Sequence, residues 1–206
     1  MTSPTALDYV WFDEHYPDLA QAYCLTLVRG LTPEALLGRL GAAELCRVSG
    51  VGGLYGPARA AWDVHHGDRL FAGVTAVGEW ALMIEPNGYL GSLESVIQPL
   101  SQGTTVVSHF RNVNAVDHFY WFEDGELRLH FEPLFSDQRE GSDADSLMDE
   151  MRAAGFDLAE DGDLELNTEA AFALAERLTG VRVTRELFDT AEFTGGTAER
   201  PRKSQT

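Results

Sequence analysis

Residues 69–85 alternate along two β-rich runs that flank Gly78-Glu79. A Gly-X pair between such runs suits a type II′ hairpin turn. Pairing across that turn puts Thr75, Val77, Trp80, Leu82 and Ile84 on one face and Val74, Ala76, Ala81 and Met83 on the other. Both faces are apolar, so this hairpin expects a cover on each side. A second hairpin is predicted over Asp117–Glu123 and Glu126–Glu132, with Asp124-Gly125 as a type I′ turn. Its simple register sets Phe122 against Leu127, Trp121 against Arg128, Tyr120 against Leu129 and Phe119 against His130. His118 and His130 then point to opposite faces.

Around these hairpins, Tyr23–Val28 reads as a strand closed by Gly30. Thr32 and Pro33 open a helix with Leu36, Leu37 and Leu40 on one stripe, closed by Gly41. Ala42–Val48 is a poor strand, and Ser49–Gly56 reads as a flexible glycine-rich loop. Its third glycine is misplaced for a dinucleotide fingerprint, and no Lys-Ser or Lys-Thr comes after it for a P-loop. Pro86-Asn87-Gly88 makes a turn, and Ser92 is placed to cap a short helix over Leu93–Gln98. Thr104–Arg111 forms a further strand, ending in Asn112-Val113-Asn114. Helices are expected over 143–154, 168–179 and 184–190, the first two stopped by Gly155 and Gly180. Strands come early and helices late. That order argues α+β: a mainly antiparallel sheet with helices packed on it and an acidic, helical C-terminal part. One domain is expected over 1–194, and a disordered tail over 195–206.

Charge changes the picture more than composition does. The chain has 206 residues and a formal charge of −18. Ser136–Glu169 alone holds twelve Asp or Glu and two Arg. No basic stripe exists to displace counterions, so nucleic acid and anionic membranes are poor partners, and a basic protein is a natural one. Lys203 is the sole lysine and asparagine is scarce, a GC-rich codon signature that discourages reading the arginines as phosphate contacts. Met1–Leu7 has no secretory signature, and no run is long and apolar enough for a membrane helix. A cytoplasmic protein is therefore expected, with Cys24 a buried thiol and no disulfide to Cys46.

Candidate chemistry is sparse. Neither His65-His66 nor the other histidines have zinc spacing, and no metal or cofactor is expected. Asp161–Glu169 alternates oxygen donors but misplaces the Gly and Glu of an EF-hand. Asn167 or Thr168 as a helix cap accounts for most of that pattern. No nucleophile motif occurs. Trp121 against Arg128 suggests a cation–π pair on a partly solvated sheet face, and also has the composition of a binding hot spot. Polar residues at strand ends are the other candidates: Glu85, Asn87, Arg111, Asn112 and Asn114. Turn chemistry alone explains the three asparagines. Tyr9, Trp11, Phe12 and Tyr16 read as rings that pin the N-terminal segment to the core.

Five segments agree in order with one family: Tyr23–Glu34 (YCLTLVRGLTPE), Trp80–Gly91 (WALMIEPNGYLG), Ser101–Thr104 (SQGT), Phe110–Ala115 (FRNVNA) and Ala154–Leu158 (AGFDL). Over residues 9–195 the chain resembles an uncharacterised domain-of-unknown-function family of actinobacteria. The resemblance implies a bacterial cytoplasmic protein and carries no activity or catalytic residue. The expected function is a non-catalytic protein-interaction module of immunity or regulatory type. The alternative is a small-molecule-binding protein or an enzyme whose site lies at the strand ends.

Overall fold

The covers demanded by the two apolar faces are both present. The computed structural model describes residues 3–159 and 162–201. Among them are β1 (Tyr23–Arg29), β2 (Ala43–Ser49), β3 (Arg69–Val77), β4 (Trp80–Pro86), β5 (Thr105–Arg111), β6 (Asp117–Glu123), β7 (Glu126–Phe131), β8 (Arg139–Glu140) and β9 (Glu192–Glu199). They form one antiparallel sheet in the order β2-β9-β3-β4-β1-β5-β6-β7-β8. With the helices below, this is an α+β fold.

Face A of the sheet carries Leu25, Leu27, Leu82, Ile84, Val107 and Phe119. It is covered by α1 (Trp11–His15), α2 (Pro17–Gln21), α4 (Tyr55–His65), α6 (Met148–Ala154), α7 (Asn167–Thr179) and α8 (Arg185–Thr190). Face B carries Val28, Val74, Met83, Val106 and Phe122, under α3 (Pro33–Arg39) and α5 (Glu94–Leu100). The N-terminal rings pack as expected. Phe12 is fully buried against Tyr23, Phe172 and Phe188, and Tyr9 stacks on Phe172. Among the described residues, no helix is long and apolar enough to cross a membrane.

The local signals for the helices hold well. Thr32 accepts the Ala35 N–H with Pro33 in the first turn of α3, and Gly41, Gly155 and Gly180 take positive φ after α3, α6 and α7. The cap of α5 differs: Leu93 precedes it, and the Ser92 hydroxyl donates to the Tyr89 carbonyl. α7 likewise starts at Asn167, whose Oδ1 accepts the Thr168 N–H.

Four expectations are corrected. Residues 43–49 are a strand, β2, on the sheet edge. The glycine-rich stretch after it is a short 3-10 turn (Val51–Leu54) leading into α4, not a flexible loop. Gly50, at φ +63, lies against the Asp189 carbonyl, where a Cβ would stand 2.6 Å away. Pro57 falls in the first turn of α4, where its missing N–H costs nothing.

The tail expected from 195 is instead β9 as far as Glu199, hydrogen-bonded to β2 on one side and β3 on the other. Gly195 and Gly196 open the stretch expected to be a tail. They serve here as gaps, because the Phe71 ring lies across Gly195 and Leu45 reaches over Gly196. Residues 202–206 lie outside the described residues. The C-terminal part is accordingly not purely helical: α6, α7 and α8 are succeeded by a central strand.

The fourth correction is the β6–β7 register. The turn forms with Asp124 and Gly125 both at positive φ, and Phe122 faces Leu127. A bulge then shifts the pairing, so Trp121 faces Leu129, Tyr120 faces His130 and Phe119 faces Phe131. Arg128 is the extra residue. The loop beyond β8 holds it there: Ser142 and Asp143 donate to the Leu127 and Arg128 carbonyls, and Gly141 lies against the Arg128 backbone. Asp117 pairs with Arg111 of the neighbouring β5. His130 moves to the face of His118, reversing the expected separation. Its Nε2 stands 3.3 Å from His118 Nδ1, and its Nδ1 stands 2.8 Å from Glu140 Oε1.

Candidate functional site

Six strands start or stop at one end of the sheet. β1, β3 and β6 begin there, at Tyr23, Arg69 and Asp117; β4, β5 and β9 finish there, at Pro86, Arg111 and Glu199. Two adjoining clefts open at this end and share Gln21 and Val113 in their walls.

The larger, of about 490 Å³, is lined by Asp13, Arg111, Asn112, Glu165, Asn167 and Glu169, with Leu134 and Ala20 as apolar wall. Alternation along β5 puts His109 and Arg111 on face A, and the antiparallel pairing brings Tyr23 and Asp117 beside Arg111. Arg111 Nη1 donates to Asp117 Oδ2 at 3.2 Å, and the Asp117 side chain is fully buried. Burial pushes Asp117 up to about 6, against the Leu134 amide and Arg111. Beneath lies the buried contact of the Tyr23 hydroxyl with His109 Nδ1, at 3.1 Å. Burial, then the Arg111 charge, holds His109 down at about 3, so its ring is neutral. His109 Nε2 has no hydrogen-bond partner among the described residues. Glu169, in the first turn of α7, is raised by burial and then by Asp13. Perturbed groups gathered under one cleft mark it as a candidate site.

The smaller cleft, of about 330 Å³, lies between α4, the start of β3 and the Pro86–Gly88 turn. Tyr55, Arg59 and Trp62 line it from one face of α4, at the i, i+4, i+7 spacing of a helical stripe. Trp62 is half exposed. Arg69 is tied to the Thr197 carbonyl at 2.7 Å and to Glu199 at 3.5 Å.

The sequence-derived candidates separate on this geometry. Arg111 and Asn112 share the larger cleft, and Asn87, at φ +54, lines the smaller. Asn112 is also a turn former: its Oδ1 accepts the Asn114 and Val116 N–H groups, and Asn114 sits exposed at the tip. Glu85 belongs to neither cleft. It is fully buried on face B, accepting the Leu90 and Gly91 N–H groups at 2.8 and 3.0 Å. Burial raises it to about 7 while those amides pull it back down. It pins the short 3-10 turn Leu90–Ser92 over a buried set in which the Thr26 and Ser108 hydroxyls meet at 2.9 Å, with Cys24 beside them.

Trp121 and Arg128 do form a cation–π pair, with 5.6 Å from guanidinium to ring centre. The guanidinium is engaged from its other side by Asp143 at 2.6 Å, and by Glu123 and Glu126 at 3.7 Å each. The pair fastens the 141–143 loop and is not a free anchor. The His118–His130 pair supplies only two ligands, and among the described residues no group of three or more His, Cys, Asp or Glu is placed to hold a metal ion.

Tyr23, His109, Asp117, Glu169 and the α4 stripe were not among the residues singled out from sequence. The spacing of 55, 59 and 62 was the available signal for the stripe. Glu169 had none, since it meets Arg111 only through the tertiary fold.

The fold and these clefts define a class: an α+β protein built on one covered antiparallel sheet, with paired clefts at its strand ends. The chain belongs to the family described as Family of unknown function (DUF6461), whose model matches residues 2–202. Searches of curated proteins and of solved structures gave no match.

Proposed function

We propose that this protein is a non-catalytic interaction module of immunity or regulatory type in an actinobacterial cytoplasm, and that the α4 cleft is its contact surface. The observation that carries this is the stripe of Tyr55, Arg59 and Trp62, with Trp62 half exposed beside a concave floor. Trp, Tyr and Arg around a pocket are the residues that dominate protein-binding energies. The partner is a protein, basic in net charge. The −18 of this chain, much of it carried by residues 136–169, steers such a partner and repels nucleic acid and anionic membranes.

The test is capture of a partner from lysate of the source organism by the full chain, beside a Trp62→Ala/Arg59→Glu variant. A stoichiometric protein held by the parent and reduced at least about tenfold by the variant supports the proposal. No stoichiometric protein at low or physiological salt, or equal capture by both chains, overturns it.

A second reading, a small-molecule-binding protein, is favoured by one observation: the polar layer beneath the Arg111 cleft.

A further inference from the structure

Face A is apolar nearly everywhere except under the Arg111 cleft. There the fold has placed charged groups beside buried polar atoms, Asn167 Nδ2 and His109 Nε2, that have no partner among the described residues. Glu169 is 8% exposed, and burial, then the nearby Asp13, raises its carboxyl above the usual range. Asn167 Nδ2 is buried without a partner among the described residues, while its Oδ1 takes the Thr168 N–H. Arg111 uses Nη1 on Asp117 and has other N–H donors for the cleft it lines. Buried donors and carboxylates of this kind are costly unless something satisfies them.

The charges say what would do so. Asp13, Glu165 and Glu169 stand on the walls, against one arginine that already faces Asp117. A simple anion meets net repulsion there. A simple cation leaves the Arg111 and Asn167 donors unanswered. A small molecule with a carboxylate and an ammonium close together answers both sets, and 490 Å³ gives it room beside the apolar wall of Leu134 and Ala20.

We propose that the Arg111 cleft binds a free α-amino acid, its carboxylate on Arg111 and the Asn167 amide, its ammonium on Glu169 with Asp13 at the rim. This deepens the small-molecule reading of the cleft and is independent of the protein partner proposed for α4.

The experiment is isothermal titration calorimetry of the full chain with each of the proteinogenic L-amino acids at about 10 mM. For any that binds, the matching amine lacking the carboxylate and the matching acid lacking the amine are titrated next. The expected result is at least one amino acid with a Kd below about 1 mM, and at least tenfold weaker binding of each half-molecule. Glu169→Gln and Asp13→Asn should each weaken it about tenfold. Asp13 is exposed, so Asp13→Asn keeps the test open should the buried substitution fail to fold. No heat from any amino acid overturns the cleft reading together with the proposal. A half-molecule binding as tightly as the amino acid overturns the ligand class alone. Binding unchanged in both variants overturns the location.

Discussion

Replacing Gly91 by alanine tests how tightly the Leu90–Ser92 turn is seated on face B. Gly91 is not in the left-handed region, so alanine carries no backbone penalty there and the effect is one of space alone. The added Cβ would run into the Thr26 hydroxyl and stand 2.7 Å from Cys24 Sγ and 3.0 Å from Ser108 Oγ. All three side chains belong to buried residues. Forcing them apart costs about 1–3 kcal/mol, the usual range for overpacking. Lifting the turn instead withdraws the Leu90 and Gly91 amides from the buried Glu85 carboxyl, about 1–3 kcal/mol for buried groups left without their hydrogen bonds. The structure takes the cheaper response or a mixture of the two, so a loss of about 1–3 kcal/mol is expected, which for a chain of this size lowers Tm by about 2–12 °C. Thermal unfolding monitored by circular dichroism measures it. Gly38→Ala, in exposed α3 with nothing near its Cβ, is the control and should leave Tm unchanged or raise it. Adding Thr26→Ala to Gly91→Ala should recover part of the loss. A Gly91→Ala variant melting within about 2 °C of the parent would refute the reasoning.

Burial holds His109 at about 3 from 6.5, so its contribution to stability is present above pH 6.5 and is lost as pH falls toward 3. Glu85, raised from 4.5 to about 7, contributes stability that is present below pH 4.5 and lost as pH rises through 7. His109→Gln keeps a partner for Tyr23 and should abolish the acid-side loss in urea unfolding between pH 4 and 8; an unchanged acid slope counts against it. Arg111→Ala leaves the Asp117 carboxylate buried and unpaired, and should cost about 3–5 kcal/mol, most of it recovered by adding Asp117→Asn. A denaturation midpoint near the parent's would show that the pair carries no such weight. Arg128→Met frees Asp143 and removes the contact with Trp121. It should cost only about 1 kcal/mol while speeding proteolysis at 141–143, and cleavage at the parental rate would contradict the fastening role.

Features written in local chemistry were legible in the sequence. Gly78 and Asp124-Gly125 announced their turns because positive φ leaves few residue choices. Alternation around Gly78 showed that the sheet is covered twice, and Gly41, Gly155 and Gly180 marked where helices stop. Features set by distant contacts were not legible. The bulge at Arg128 depends on a loop a dozen residues on. Without it, the correct turn still sends His130 to the wrong face. Residues 195–199 looked like a tail because the contacts that seat them, Phe71 on Gly195 and Leu45 on Gly196, come from distant strands. At the site, strand-end reasoning reached Arg111, Asn112 and Asn87. Glu85 lies apart from them, since one strand's last residues alternate between faces and Glu85 points to face B. The polar layer below Arg111 joins β1, β5, β6 and α7, and no local pattern links those four.

β9 also sets an order of events. Strands β3, β4, β1, β5, β6 and β7 can pair with neighbours as a growing chain emerges. β2 has no sheet partner but β9, and β3 keeps one side open until residues 192–199 are made. During synthesis the nascent sheet therefore carries a bare row of backbone donors and acceptors along β3, a template for pairing with another chain. Of the nine described strands, the one translated last is the one that joins β2 to the rest of the sheet.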